Sequence, residues 1–206
     1  MKAADPHREL FVLGLLRGAE SSAYDVDHAM REHVPLYRRF SQGNTYQFVE
    51  RLAANGLLSR RAAATRRGPR EQKWLYALSP DGETRFRELV RGIMTDVQSS
   101  DVALETALVL LGQLPRDDAL ELVIARAGEV ERYERRLKRI YGEERGIGRG
   151  GAFTRLRIMH RMQSERRYLG EIAGLLRDAK WEPQWIAGDG ERAPRSGVRD
   201  VEARKR

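Results

Sequence analysis

Residues 8–17 read Arg-Glu-Leu-Phe-Val-Leu-Gly-Leu-Leu-Arg. Apolar side chains fall on most sides of a helical wheel, so this segment predicts a first helix buried nearly all round, with Gly18 as its stop. The pattern then changes. Ala23, Val26, Ala29 and Met30 make a single helical stripe, capped by Ser21 or Ser22, running to about Val34 and broken by Pro35. A third helix runs from a cap at Ser41 to about Asn55, and Gly56 ends it. At about 100° per residue, Thr45, Phe48, Val49, Leu52 and Ala53 share its apolar side. Asn44, Gln47, Glu50, Arg51 and Ala54 share the opposite one. Two strand-like runs follow, Leu57 to Arg61 and Lys73 to Leu78, joined by Thr65-Arg66-Arg67-Gly68-Pro69-Arg70, where Gly-Pro marks a turn. Ser79-Pro80-Asp81-Gly82-Glu83 opens a fourth helix, with proline near its first position and acids in its first turn.

The second half is helical throughout. Residues 101–113 carry Leu104, Leu108 and Leu111 on an apolar helix. Pro115-Arg116-Asp117-Asp118 starts another, to about Tyr141, with Val123, Ala127, Val130, Leu137 and Ile140 directed inward. Five glycines between Gly142 and Gly151 read as a flexible connector. A last helix spans about Phe153 to Lys180 and is ended by Pro183. Along it, Ile158, Met162, Glu165, Leu169, Ile172, Leu176 and Ala179 recur at alternating intervals of four and three. Such a heptad seam packs against another helix, either in the same chain or in a second copy. Residues 188–206 are polar and without periodicity, and are expected to be disordered.

The order of elements predicts a mainly α protein with a small β-hairpin wing. Residues 1–94 form a winged helix-turn-helix unit, and 95–187 a helical unit whose heptad seam suits dimerisation, ahead of the tail. The 206 residues carry 38 basic and 30 acidic side chains, a net charge of +8. The excess is local: between Arg38 and Lys73 lie nine basic residues against only Glu50 and Glu71. Arginine dominates over lysine throughout, a compositional bias that does not explain the clustering. Dense local positive charge fits a polyanion, and on this arrangement double-stranded DNA. A helix in the major groove shows amides and arginine to base edges, while an Arg-tipped hairpin tracks phosphates or enters the minor groove.

With no cysteine, disulfides, thiolate metal sites and cysteine nucleophiles are excluded. No apolar run approaches a membrane span, and the polar start lacks a signal-peptide core, so the expected location is cytoplasmic. Gly146-Ile147-Gly148-Arg149-Gly150-Gly151 superficially matches a phosphate loop, but no strand precedes it and no Gly-Lys-Ser/Thr follows. Asp25, His28 and Glu32 share a helix face of metal-ligand type, which reads more simply as a solvated charged surface. No nucleophile and base stand in a recognisable order, so neither an enzyme, a metal nor a cofactor is expected.

These residues resemble the PadR family of bacterial transcription regulators. The likeness lies in Val12-Leu13-Gly14-Leu15-Leu16, in Tyr24-Asp25-Val26, and in Ser41-Gln42-Gly43-Asn44-Thr45-Tyr46 followed by Arg51-Leu52 and Gly56-Leu57-Leu58. It continues in Gly68-Pro69-Arg70 and in Tyr76-Ala77-Leu78-Ser79-Pro80-Asp81-Gly82. Asn44 and Thr45 stand where the family usually has threonine and isoleucine, and Gln47 where proline is frequent, so no relative's operator carries over. The resemblance implies a homodimeric repressor on an inverted-repeat operator. Ser41, Gly43, Asn44, Gln47 and Arg51 are expected at the bases or the start of the reading helix. Tyr46, Arg60, Arg61, Arg66, Arg67, Arg70 and Lys73 are expected on phosphates. The resemblance also implies helix exchange between subunits, with Ile158, Met162, Glu165, Leu169, Ile172 and Leu176 at the dimer interface. It implies a cavity near the dimer helices for a small aromatic effector, beside Tyr168, Trp181 and Trp185, unless these rings simply anchor the helix end. The rival to operator reading is a winged-helix module for RNA or protein.

Overall fold

The computed structural model describes residues 6–33, 45–63, 73–99, 101–141 and 149–178. Within them the chain runs α1 (Pro6–Gly18), α2 (Ala23–His33), α3 (Thr45–Ala54), β1 (Leu58–Ala62), β2 (Trp74–Leu78), α4 (Pro80–Thr95), α5 (Asp101–Leu111), α6 (Arg116–Tyr141) and α7 (Arg149–Arg177). The architecture is mainly helical with one antiparallel hairpin, a winged helix-turn-helix followed by further helices. The expected cap at Ser41, together with Gly43, Asn44, Arg66, Arg67, Arg70, Trp181, Trp185 and the tail 188–206, lies outside the described residues.

Local chemistry explains where the elements begin. Ser22, not Ser21, caps α2. Its Oγ accepts from the Asp25 amide at 3.3 Å, while Asp25 Oδ2 accepts from the Ser22 amide at 3.2 Å, a reciprocal pair of the capping-box kind. Ser21 is freed to pair with Tyr76 through both backbone groups, at 3.0 and 2.9 Å, and so extends the sheet by one residue. Gly56, at φ 77°, takes the left-handed turn that ends α3 at little cost for a residue without Cβ. Ser79 caps α4 by accepting from the Gly82 amide at 2.9 Å, with Pro80 at the first helical position.

One hydrophobic core runs from Leu10 on α1 to Leu176 on α7. Helix α1 is its centre: Glu9 to Leu16 are all buried, and the helix packs against both α4 and α5. Helix α4 in turn packs on α6, and α6 on α7. Packing therefore crosses the expected division between residues 94 and 95 without a break.

Two expectations are corrected here. Ile140 faces solvent, 57% exposed. The α6 seam steps through Val130, Glu134 and Leu137 at intervals of four and three, and Ile140, three residues beyond Leu137, falls off that line. The glycine-rich connector is shorter than expected, because Arg149, Gly150 and Gly151 already belong to α7. Glycine in a helix costs roughly 1 kcal/mol against alanine, which a 29-residue packed helix absorbs. The α7 seam packs within the chain, one of the two partners the heptad allowed. Met162, Glu165, Leu169 and Leu176 are buried, and Ile158 and Ile172 partly so, with α6 of the same chain packed alongside.

Candidate nucleic-acid interface

Helix α3 divides as its wheel requires. Thr45, Phe48, Val49 and Leu52 are buried, while Tyr46, Gln47 and Arg51 are exposed. Its first residue is anchored on two helices at once: Thr45 Oγ1 donates to Asp27 Oδ1 at 2.5 Å and accepts from Arg8 at 3.3 Å. The Phe48 ring lies under two guanidinium groups, Arg8 at 4.6 Å and Arg51 at 5.0 Å from its centroid. The polar face of α3 is thus carried on a fixed base, with Tyr46 and Gln47 on its first turn.

Beside this helix stands the hairpin, in the register Arg60 opposite Tyr76 and Ala62 opposite Trp74. Its three described cations are exposed, and each already meets a carboxylate of the same chain. Arg60 Nη1 lies 3.0 Å from Glu50 Oε2, Arg61 pairs with Glu20, and Lys73 Nζ lies 3.5 Å from Asp25 Oδ2. Hydrogen bonding to Arg61 holds the Glu20 carboxyl below its ordinary value. Burial pushes the Asp25 carboxyl up, but the Ser22 hydrogen bonds and the Lys73 charge outweigh it and leave it lowered. The Arg61 and Lys73 pairs are exposed on both sides and therefore weak, so a phosphate can displace either carboxylate at little cost.

The sequence-predicted residues Tyr46, Gln47, Arg51, Arg60, Arg61 and Lys73 are thus placed on two neighbouring elements, α3 and the hairpin. Two residues without a predicted part join those elements. Tyr76, fully buried, donates its phenol to Glu50 Oε1. Glu50 therefore ties α3 to β1 through Arg60 and to β2 through Tyr76. The helical wheel put Glu50 on the polar face, but its partners lie 10 and 26 residues away. Only the cross-strand register brings them together.

Among the described residues no group of three or more His, Asp or Glu side chains is arranged to hold a metal. Asp25 is engaged by Ser22 and Lys73, and His28 stacks on Tyr24 at 6.5 Å. No described helix is long and apolar enough to cross a membrane.

The family model described as transcriptional regulator PadR-like family matches residues 12–88, from α1 to α4. Among curated proteins, none matches the chain. The chain is similar to solved structures of Bacillus subtilis PadR in complex with operator DNA, at 18% identity and TM-score 0.37, covering 82% of this chain and 96% of that one. It is similar to the same protein in complex with p-coumaric acid, at 15% identity and TM-score 0.36, covering 82% and 98%. A PadR-like transcriptional regulator from Bacillus cereus matches at 18% identity and TM-score 0.35, covering 85% and 98%. At these levels no residue's role transfers between the proteins. The winged-helix segment, residues 12–88, matches the PadR-like family of transcriptional regulators.

Proposed function

We propose that the chain is a homodimeric repressor that reads an inverted-repeat operator. The observation that carries this reading is the juxtaposition of an exposed Tyr46–Gln47–Arg51 face on a rigidly based α3 with the cationic hairpin. An amide such as Gln47 pairs with adenine and an arginine with guanine in the major groove. Arg60, Arg61 and Lys73, joined by Arg66, Arg67 and Arg70 of the turn, hold phosphates and fix register without carrying sequence.

Two copies place two reading helices on the halves of a palindrome. Exchange of α7 would leave the seam contacts of Ile158, Met162, Glu165, Leu169, Ile172 and Leu176 chemically unchanged while joining the copies. Exposed Phe153 and Leu156 supply further apolar area for a second copy to cover.

A small aromatic acid is the proposed effector, taken where α4, α6 and α7 meet. Tyr168 is half-buried there: burial first, then the Glu165 charge, pushes its phenol up to about 12, so it stays a donor. Arg126 lies close by, with its Nη2 buried and without a hydrogen-bond partner among the described residues. Such a group offers a carboxylate a charge-assisted bond.

Selection of bound duplexes from a random library, using the purified full chain, tests the whole reading. Enrichment of an inverted repeat supports it. Recovery of no sequence, or tighter binding to single-stranded RNA than to duplex DNA, overturns it in favour of a different winged-helix module.

A further inference from the structure

The reading of α3 and the hairpin as one DNA-binding surface leaves open what sets the angle between them. Glu50 stands on α3 at the point where both strands approach it. One carboxylate oxygen accepts from the phenol of Tyr76 on β2, the other from Arg60 on β1, and Arg60 and Tyr76 are direct cross-strand partners. The Arg60 guanidinium also lies over the Trp74 ring, 4.9 Å from its centroid. Arginine loses a large share of its rotamer freedom in such a stacked and paired state, so the cation reaches a phosphate already ordered.

We infer that Glu50 is a positioning residue of the DNA interface, which locks the wing to the reading helix and presents Arg60 to a phosphate. This rests on the DNA-binding reading above. It runs against simple charge counting, in which an acid beside DNA only repels it. The two views give opposite signs. The full burial of Tyr76 supports positioning: burial raises its phenol's ionisation well above the ordinary value, and the Glu50 charge raises it further, so the phenol remains a proton donor to Glu50. Glu20, which faces Arg61 from an exposed position with no buried phenol behind it, lacks this support and serves as the internal contrast.

The test measures affinity of Glu50→Gln, Tyr76→Phe and Glu20→Gln for the duplex recovered from the random library and for a random-sequence duplex of equal length, over a salt series. Glu50→Gln and Tyr76→Phe are expected to bind the selected duplex about tenfold more weakly, the loss of one good contact. The Glu50→Gln salt slope is expected to fall by about 0.9, one phosphate fewer. Glu20→Gln is expected to bind as well as the parent or better. Unchanged or tighter binding by Glu50→Gln, with a steeper salt slope, overturns the inference and makes Glu50 a competitor of the phosphates. Circular dichroism establishes folding, and Tyr76→Phe keeps the buried ring should Glu50→Gln fail to fold. A parent protein that binds neither duplex contradicts the DNA reading itself and takes this inference with it. Binding by the parent with no change in Glu50→Gln or Tyr76→Phe sinks the inference alone.

Discussion

Arg126 on α6 donates its Nε to Glu165 Oε1 on α7 at 2.6 Å, with both side chains almost wholly buried. The same guanidinium donates Nη1 to the carbonyls of Ile93 and Asp96, at 3.1 and 2.6 Å, where α4 ends. A cation at a helix C-terminus is favourably placed, because the last carbonyls carry partial negative charge. One side chain thus joins α7 to the end of the helix that follows the wing. Removing its counter-charge leaves a buried cation, and Glu165→Ala should lower stability by about 3–5 kcal/mol. Replacing the pair together, Arg126→Met with Glu165→Leu, should recover most of that loss, since apolar substitutes of similar volume often match a buried ion pair. Denaturant midpoints of the single and double variants check both statements.

Glu83 gives an acid-dependent prediction. Burial pushes its carboxyl up, but hydrogen bonds from Arg17 and Arg87 outweigh that and hold it below the ordinary 4.5. A carboxyl with a lowered folded value stabilises the fold fully above its unfolded value and loses that contribution as pH falls through the folded one. Glu83→Gln should therefore be less stable than the parent at pH 7, with the gap closing below about pH 4.5. A gap that persists unchanged in acid would show that Glu83 contributes by packing alone.

Gly82 leaves no room for a side chain. A Cβ there would stand 2.1 Å from the Leu57 carbonyl oxygen, and that carbonyl accepts from the Ser79 amide at 3.1 Å. The obstacle is backbone fixed by its own hydrogen bond, so it cannot rotate aside. Gly82→Ala should cost roughly 1–3 kcal/mol, in the range of overpacked cores. Its thermal midpoint should fall by several degrees.

For the hairpin, Arg61→Ala and Lys73→Ala should each reduce the slope of log affinity against log salt by about 0.9. The loss should be equal on selected and random duplexes, because phosphate contacts position without specifying. An unchanged slope in both would place the wing off the DNA.

Much of this was legible in the chain. The alternation of Thr45, Phe48, Val49 and Leu52 with Gln47 and Arg51 foretells which side of α3 is buried, because a single helix facing a core obeys its own wheel. The hairpin strands lie within a residue of their expected limits. The polar ties were not legible. Glu165 reads in sequence as an interruption of an apolar stripe, whereas its partner Arg126 lies 39 residues earlier on another helix. Likewise Glu50 reads as one more solvated acid until Tyr76 and Arg60 are brought opposite each other by the sheet. Hydrophobic periodicity reports which face is buried, not which buried charge meets which. The ambiguity between an α7 seam closed within the chain and one shared between copies has the same root, since a heptad specifies a partner helix and not its owner.

The central claim is that α3 reads bases, and the most direct measurement is the affinity of the parent and of Gln47→Ala for the selected operator and for its scrambled duplex, at one fixed salt concentration. The parent should prefer the operator by a factor of roughly 10³ or more. Gln47→Ala should lose about 1–3 kcal/mol on the operator and much less on the scrambled duplex, with folding intact because this side chain is exposed. Equal losses on both duplexes, or none on either, would contradict base reading by Gln47, and equal affinity of the parent for the two would contradict operator recognition altogether.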